Sequence, residues 1–273
     1  MTLQSNQNIQ FFSLIDSTLS RQIIGFNDEI IDASFLSPDV RTKDSHIALA
    51  TNSSLIRVYS TKTLDARLVD GHSDMVLCLS SVLDGQMLLS GSKDKTARLW
   101  TMSPTGDWYC LAICEGHAES VGAVAASRQQ STTDGKLRFV VTGSQDRTVK
   151  MWDMTPVSFP GEGNLPERAK SLLTMKVHEK DINSLDISPN DRWLASGSQD
   201  RTAKIFEIEY SWTTSGTKAK LKHVGTLKGH KRGVWDVRFS PSDRVIATAS
   251  GDKTVKLWNL GDYSCLKVCF LYF

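Results

Sequence analysis

Three times along this chain a histidine, a hydroxyl residue, an aspartate and a tryptophan recur in the same order and at similar spacing. The sets are His72, Ser90, Asp94 and Trp100; His117, Thr142, Asp146 and Trp152; and His230, Thr248, Asp252 and Trp258. A fourth, His178, Ser196 and Asp200, ends on Phe206 instead of an indole. An aspartate that orients a histidine, which takes the proton of a hydroxyl, is the apparatus of nucleophilic acyl transfer. The same groups also form a hydrogen-bond chain from carboxylate to imidazole to hydroxyl to indole N–H. Repetition separates the two readings. One reaction needs one nucleophile, whereas a structural clasp, at about 1 kcal/mol net per bond, is useful once in every structural unit. The expected role is structural, with no catalytic residue.

Other chemistry-bearing patterns are few. No phosphate-binding glycine loop, His-Glu-x-x-His, Gly-x-Ser-x-Gly or dinucleotide fingerprint occurs. Cys110 and Cys114 resemble a metal pair, but no second Cys or His pair follows at finger-like spacing. They are expected as core or edge residues of a strand, and neither a metal nor a cofactor is expected. With Cys78, Cys265 and Cys269 they make an odd total of five, which fits reduced thiols in the cytosol or nucleus. The chain carries a net charge of only +2, yet Lys218, Lys220, Lys222, Lys228, Lys231 and Arg232 cluster where no acid occurs from Tyr210 to Trp235. Such runs are usually solvated faces. Lys218, Lys220, Lys222, Lys231 and Arg232 are nonetheless the candidate contacts for RNA or a partner.

The elements that must position these residues follow from a longer repeat. Ser90–Thr96 (Ser-Gly-Ser-Lys-Asp-Lys-Thr) leads into Leu99-Trp100, Thr142–Thr148 into Met151-Trp152, Ser196–Thr202 into Ile205-Phe206, and Thr248–Thr254 into Leu257-Trp258. Aligning the closing aromatics Phe12, Tyr59, Trp100, Trp152, Phe206 and Trp258 gives a period of about forty to fifty-five residues. That is the period of a four-stranded propeller blade with loop insertions. First strands are expected at Ile30–Leu36, Met75–Ser81, Val121–Ser127, Ile182–Ser188 and Val234–Ser240. Second strands are expected at His46–Thr51, Met87–Ser92, Phe139–Ser144, Trp193–Ser198 and Val245–Ser250. Third strands end on the aromatic, and weaker fourth strands include Ala66–Val69 and His223–Leu227.

This predicts an all-β propeller of five full blades, at about 30–70, 75–115, 121–177, 182–228 and 234–268. Before them, Asn8–Leu14 and Arg21–Ile24 read as the third and fourth strands of a partial blade, so residues 1–29 are expected to end a preceding propeller. Polar insertions at Arg128–Lys136, Thr155–Lys170 and Ser211–Lys220 are expected on loops. In the Ile30–Tyr59 blade, Phe26 stands where the His belongs and Ser53 where the Asp belongs. That blade and the one carrying Phe206 are expected to be locally softer.

Forty per cent of the 273 residues are apolar, enough for a core. No run of eighteen apolar residues suggests a membrane span, and the N-terminus lacks the features of a signal peptide.

Gly-His (Gly71-His72, Gly116-His117, Gly229-His230), Ser-x-Asp-x-Thr and a closing Trp-Asp at this period resemble the WD40 β-propeller family, over nearly the whole chain. Several stretches are similar to a nucleolar branch of it. They are Gly25–Asp32, Asp181–Ser184, Ser196–Lys204, Gly229–Trp235 and Asp262–Lys267, with Phe26-Asn27-Asp28 in place of Gly-His as a peculiarity of that branch. The resemblance implies two tandem propellers and a C-terminal helical domain in such members. It implies a non-enzymatic scaffold of the small-subunit processome, in the nucleus and nucleolus, supporting U3 snoRNA-dependent pre-rRNA processing and 40S biogenesis. Implied partners are other processome proteins of a UTP-B-type subcomplex and, through basic loops, U3 snoRNA or pre-rRNA; no membrane or small-molecule substrate is implied.

The pattern departs after Val268, where Cys269–Phe273 is a tail outside the family. Five blades and a fragment leave a seven-bladed ring incomplete. Uncovered faces are expected beside the Ile30 strand and the Cys265 region, with poor solubility of the isolated chain. The rival function is a generic interaction module such as a ubiquitin-ligase substrate receptor. Trp235-Asp236-Val237-Arg238 resembles the docking box of such propellers, but it falls in a first strand rather than at the end of a third.

Overall fold

The computed structural model describes residues 2–3, 9–13, 15–23, 29–39, 42–103, 105–130, 136–157, 165–213 and 216–270. Five antiparallel four-stranded blades form a β-propeller. The first blade is β4 (Ile30–Leu36), β5 (His46–Thr51), β6 (Ile56–Ser60) and β7 (Ala66–Val69). The second is β8 (Val76–Val82), β9 (Met87–Ser92), β10 (Thr96–Met102) and β11 (Trp108–Glu115). The third is β12 (Val121–Ala126), β13 (Phe139–Ser144), β14 (Thr148–Asp153) and, after the two-residue β15 (Glu167–Arg168), β16 (Lys170–Lys176). The fourth is β17 (Ile182–Ile187), β18 (Trp193–Ser198), β19 (Thr202–Thr213) and β20 (Gly216–Lys228). The fifth is β21 (Val234–Phe239), β22 (Val245–Ser250), β23 (Thr254–Asn259) and β24 (Cys265–Phe270).

The blades share local irregularities as well as strand order. Each first strand is bulged at the same place against its second strand, at Ile30/Asp32, Val76/Cys78, Val121/Ala123, Ile182/Ser184 and Val234/Asp236. A bulge re-aims the side chains that follow it. These strands line a central cavity of ≈ 810 Å³ reached by Asp32, Asp186, Asp236 and Arg238.

Blade faces are apolar because they are buried on one another. The fully buried Leu88 and Trp100 of the second blade pack with Leu36, Ala48 and Val58 of the first. Ala195, Ala203 and Ile205 of the fourth pack with Val234, Val237 and Ile246 of the fifth. The close approach needs small residues in the second strands: a Cβ on Gly143 would lie 2.6 Å from Cγ2 of Ile182 in the next blade.

Three expectations are corrected here. Ser211–Lys220 is not a loop, because β19 and β20 continue through it as a long hairpin paired from Thr202↔Lys228 to Thr213↔Gly216. Its sequence misleads because Ser, Thr and Gly, the residues of loops, fill it, yet Ser211↔Lys218 and Trp212↔Thr217 continue the register set lower down by Glu209↔Lys220. Thr155–Lys170 is not all loop either: Glu167–Arg168 pairs parallel with β11 and adds a fifth strand to the second blade's sheet. Finally, the Ile30 side is not left bare. An N-terminal sheet of β1 (Thr2–Leu3), β2 (Ile9–Phe12) and β3 (Leu19–Ile23) lies against it, burying Ile9 with Ile47 and Leu49. The β2–β3 pairing carries a bulge at Phe11/Phe12, matching the third-to-fourth strand bulge at Leu99/Trp100. At the other end, Leu266, Val268 and Phe270 of β24 are 56%, 38% and 66% exposed.

Candidate functional site

The residues of the recurring sets meet in space. His72 Nδ1 lies 2.7 Å from Asp94 Oδ2, its Nε2 lies 2.8 Å from Ser90 Oγ, and Trp100 Nε1 donates to that Oγ at 2.8 Å. His117 stands 2.8 Å from Asp146 and 2.7 Å from Thr142, which accepts from Trp152 at 2.8 Å. His230 is 2.9 Å from Asp252 and 2.8 Å from Thr248, which accepts from Trp258 at 2.8 Å. An indole only donates and a carboxylate only accepts. The proton order is therefore fixed for a neutral ring: indole N–H to hydroxyl, hydroxyl O–H to Nε2, Nδ1–H to carboxylate. Both ring nitrogens are engaged and all four histidines are buried.

Two further hydroxyls complete each clasp, and reasoning from sequence missed their roles although both lie inside the repeat. The Thr two residues after the Asp donates to Oδ1 at 2.6–2.7 Å, as Thr96, Thr148, Thr202 and Thr254. The Ser two residues before it accepts the Asp backbone N–H and donates to a carbonyl in the loop before the first strand, Ser92 to Asp74 O and Ser144 to Glu119 O among them. The intervening Lys95, Arg147, Arg201 and Lys253 adopt left-handed backbone at φ 65–73°. One clasp thus ties the incoming loop, the second strand and the next turn together.

Electrostatics follow from this bonding. Burial opposes the charge of Asp94, yet hydrogen bonds from His72 and Thr96 prevail and hold the carboxyl well below the usual range. Asp200 and Asp252 are lowered likewise, and Asp146 to about 2. Burial also lowers the pKa of the His117 ring, so its neutral form is favoured.

The fourth and first blades depart from this pattern. His178 keeps Asp200 and Ser196, both at 2.8 Å, but Phe206 offers no N–H and instead meets the His223 ring edge-on at 5.5 Å. In the first blade Ser53 Oγ accepts only the nearby Leu55 N–H among the bonds described, and Phe26 lies outside the described residues.

The basic candidates fall in two places. Lys218, Lys220 and Lys222 share the exposed side of β20, on a hairpin rather than a loop, and Lys220 faces Glu209 at 3.9 Å. Lys231 and Arg232 lie on the rim beside the His230 clasp. Cys110 and Cys114 both lie on β11; burial pushes the Cys110 thiol up to about 11 and the Cys114 thiol higher.

A second set of polar contacts, between blades, had no signal in the repeat. Asp186 Oδ1 accepts from Arg128 Nη2 of the preceding blade at 2.7 Å, and its Oδ2 accepts the Phe239 N–H of the following blade at 2.7 Å. Asp32 similarly accepts the Leu79 N–H at 2.8 Å, and Ser184 donates to Asp236 at 2.6 Å. Each of these carboxylates engages at least one partner across a blade joint.

Comparison with known proteins adds what geometry does not carry. The family described as WD domain, G-beta repeat matches residues 62–101, 108–153, 169–207 and 221–259. The chain is 40% identical over 244 residues to transducin beta-like protein 3 of Rattus norvegicus, covering 87% of this chain and 28% of that protein. It is 33% identical over 231 residues to U3 small nucleolar RNA-associated protein 13 of Saccharomyces cerevisiae, covering 80% and 26%. A ribosome biogenesis protein WDR12 homolog of Drosophila erecta is 29% identical over 195 residues, covering 69% and 42%. The chain therefore spans less than a third of the length of the first two relatives.

Proposed function

Because the chain belongs to the WD40 family of β-propellers, we propose that it is a non-enzymatic scaffold of small-subunit rRNA maturation. In this reading it works in the nucleolus among processome proteins of the UTP-B type and supports U3 snoRNA-dependent processing. The observation that carries it is the 40% identity to transducin beta-like protein 3 over 87% of the chain, joined by the likeness to U3 small nucleolar RNA-associated protein 13. The site chemistry supports a non-catalytic role: every histidine of the repeated sets has both ring nitrogens bonded and is shut from solvent. In the same reading residues 1–29 end one propeller and 30–268 begin a second.

Affinity purification of the tagged chain, with mass spectrometry of proteins and sequencing of RNA, tests this. Processome proteins and U3 snoRNA are expected. Cullin-type ligase subunits without them would replace the reading with a substrate receptor. Hydrolase activity abolished by His117→Ala with the fold intact would overturn the non-enzymatic assignment.

A further inference from the structure

The clasps lie on one rim of the propeller, where the loop entering each blade meets the turn between its second and third strands. By sequence, the entering loops and second-to-third turns of the second to fourth blades carry both signs, Asp70 and Asp74 with Lys93 and Lys95, Glu119 with Arg147, and Glu179 and Asp181 with Arg201. The fifth blade differs. Lys228, Lys231, Arg232 and Lys253 are all exposed there. The one carboxylate among them, Asp252, is occupied by His230, the Lys231 N–H and Thr254. The next carboxylate along the strand, Asp236, turns to Ser184 and Arg238.

Beside these cations stands Trp235, 55% exposed. Its indole rests on the turn of its own blade: a Cβ on Gly251 would lie 2.7 Å from Trp235 Nε1 and 3.7 Å from Arg232 Cβ. An open indole and a cluster of cations with no free acid among these residues therefore share one surface. An apolar protein surface would bury the ring but strand the cations without counter-charge. A nucleic-acid duplex would supply phosphates, but its base faces are stacked away. Single-stranded nucleic acid supplies both, an open base face for the indole and phosphates for the cations.

We propose that Trp235, with Lys231, Arg232 and Lys253, forms a stacking site for single-stranded RNA on the rim of the fifth blade. This rests on the rRNA-maturation reading for the choice of RNA over DNA. It also moves the RNA contact off the hairpin, where Glu209 faces Lys220 and Glu207 faces Lys222 across the strands.

The test is fluorescence anisotropy of this chain with a labelled oligouridine of a dozen nucleotides and with an RNA duplex of equal length. Trp235→Ala is expected to weaken oligouridine binding about 5- to 150-fold, leave any duplex binding unchanged and leave the salt slope unchanged. Trp235→Phe should restore most of the loss. Lys231→Ala and Arg232→Ala should each lower the salt slope by about 0.7. Circular dichroism melts establish that the variants fold. Unchanged oligouridine binding in Trp235→Ala overturns the proposal, as does a loss of protein co-purification in that variant with no oligouridine binding by the parent. If oligouridine binds as described while no processome protein co-purifies, the stacking site stands and the scaffold reading falls.

Discussion

Gly71 and Trp100 fit only because one lacks a side chain: a Cβ at position 71 would stand 2.7 Å from Cη2 of the indole. The glycine of the Gly-His pair clears the space into which the ring extends, and the ring's N–H completes the clasp that the histidine begins. Where the aromatic is Phe206, the glycine position holds the buried Val177. In the third and fifth blades the fit is looser, since a Cβ on Gly116 or Gly229 would lie 3.7 or 3.5 Å from the indole, and there the positive φ of +141° and +146° is what favours glycine.

Gly71→Ala should therefore be costly. Gly71 sits at φ +152° and meets the indole, while Gly216 at φ +119° has nothing within 4 Å of an added Cβ. Backbone strain alone costs about 1–2 kcal/mol, and overpacking adds about 1–3 kcal/mol. Urea titrations should show Gly71→Ala more destabilised than Gly216→Ala. Equal losses would mean that the indole moves aside freely.

The fourth blade offers the converse experiment. Phe206→Trp alone has no glycine to receive its edge, and Val177→Gly alone opens a void. Together they should recreate the missing donor to Ser196, with a favourable coupling of at least about 0.5 kcal/mol in a double-mutant cycle. Strict additivity would show that the two positions are independent.

Asp186→Ala removes acceptors used by two other blades, Arg128 in one direction and the Phe239 N–H in the other. Leaving a buried N–H unpaired costs about 1–3 kcal/mol, before the loss of the Arg128 contact. Hydrogen exchange should then quicken at Phe239 more than within β13. A loss confined to the Asp186 blade would count against a joint across three blades.

Acid should unfold the protein in two stages, and the signs can be worked through. Asp146 titrates at about 2 when folded, against an ordinary value of 3.8, and Asp94, Asp200 and Asp252 are also lowered. A depressed folded pKa gives stability that is present above the unfolded value and lost as pH falls through the folded one. This limb runs from pH 3.8 downward. His117 acts earlier, since its unfolded ring takes a proton near 6.5 and its buried folded ring resists, so stability falls as pH drops below 6.5. Asp32 and Asp191, raised by burial, work in the opposite sense, because the folded state binds their protons first. A shallow fall in melting temperature below pH 6.5 and a steep one below pH 3.8 are expected. Asp146→Asn should lessen the steep limb, and an identical acid limb in that variant would remove the clasp from the explanation.

Strand order, blade count and the membership of each clasp were legible because they recur, and a period exposes what one copy hides. The clasp hydroxyls of Thr96 and Ser92 were visible as letters of the repeat, but their partners depend on the left-handed backbone at Lys95, which no letter announces. The β19–β20 hairpin was hidden by composition, since the Ser, Thr and Gly of its outer part resemble a solvated loop although they continue the register of the strands. Asp186 was hidden by distance: its partners lie 58 and 53 residues away and in different blades. Single contacts that join repeats leave no periodic trace.

The span of each clasp bears on how the molecule is made. Histidine and hydroxyl are separated by 18 residues in three copies and 25 in the third blade's, histidine and aspartate by 22 or 29. Such short closures are fast compared with the long-range pairings that slow most all-β folding. A polypeptide emerging from its N-terminus can close one blade while the next is still being synthesised, and each finished face then templates the following strand. In the second to fifth blades the histidine precedes its clasp partners along the chain, so it is the first of them to emerge.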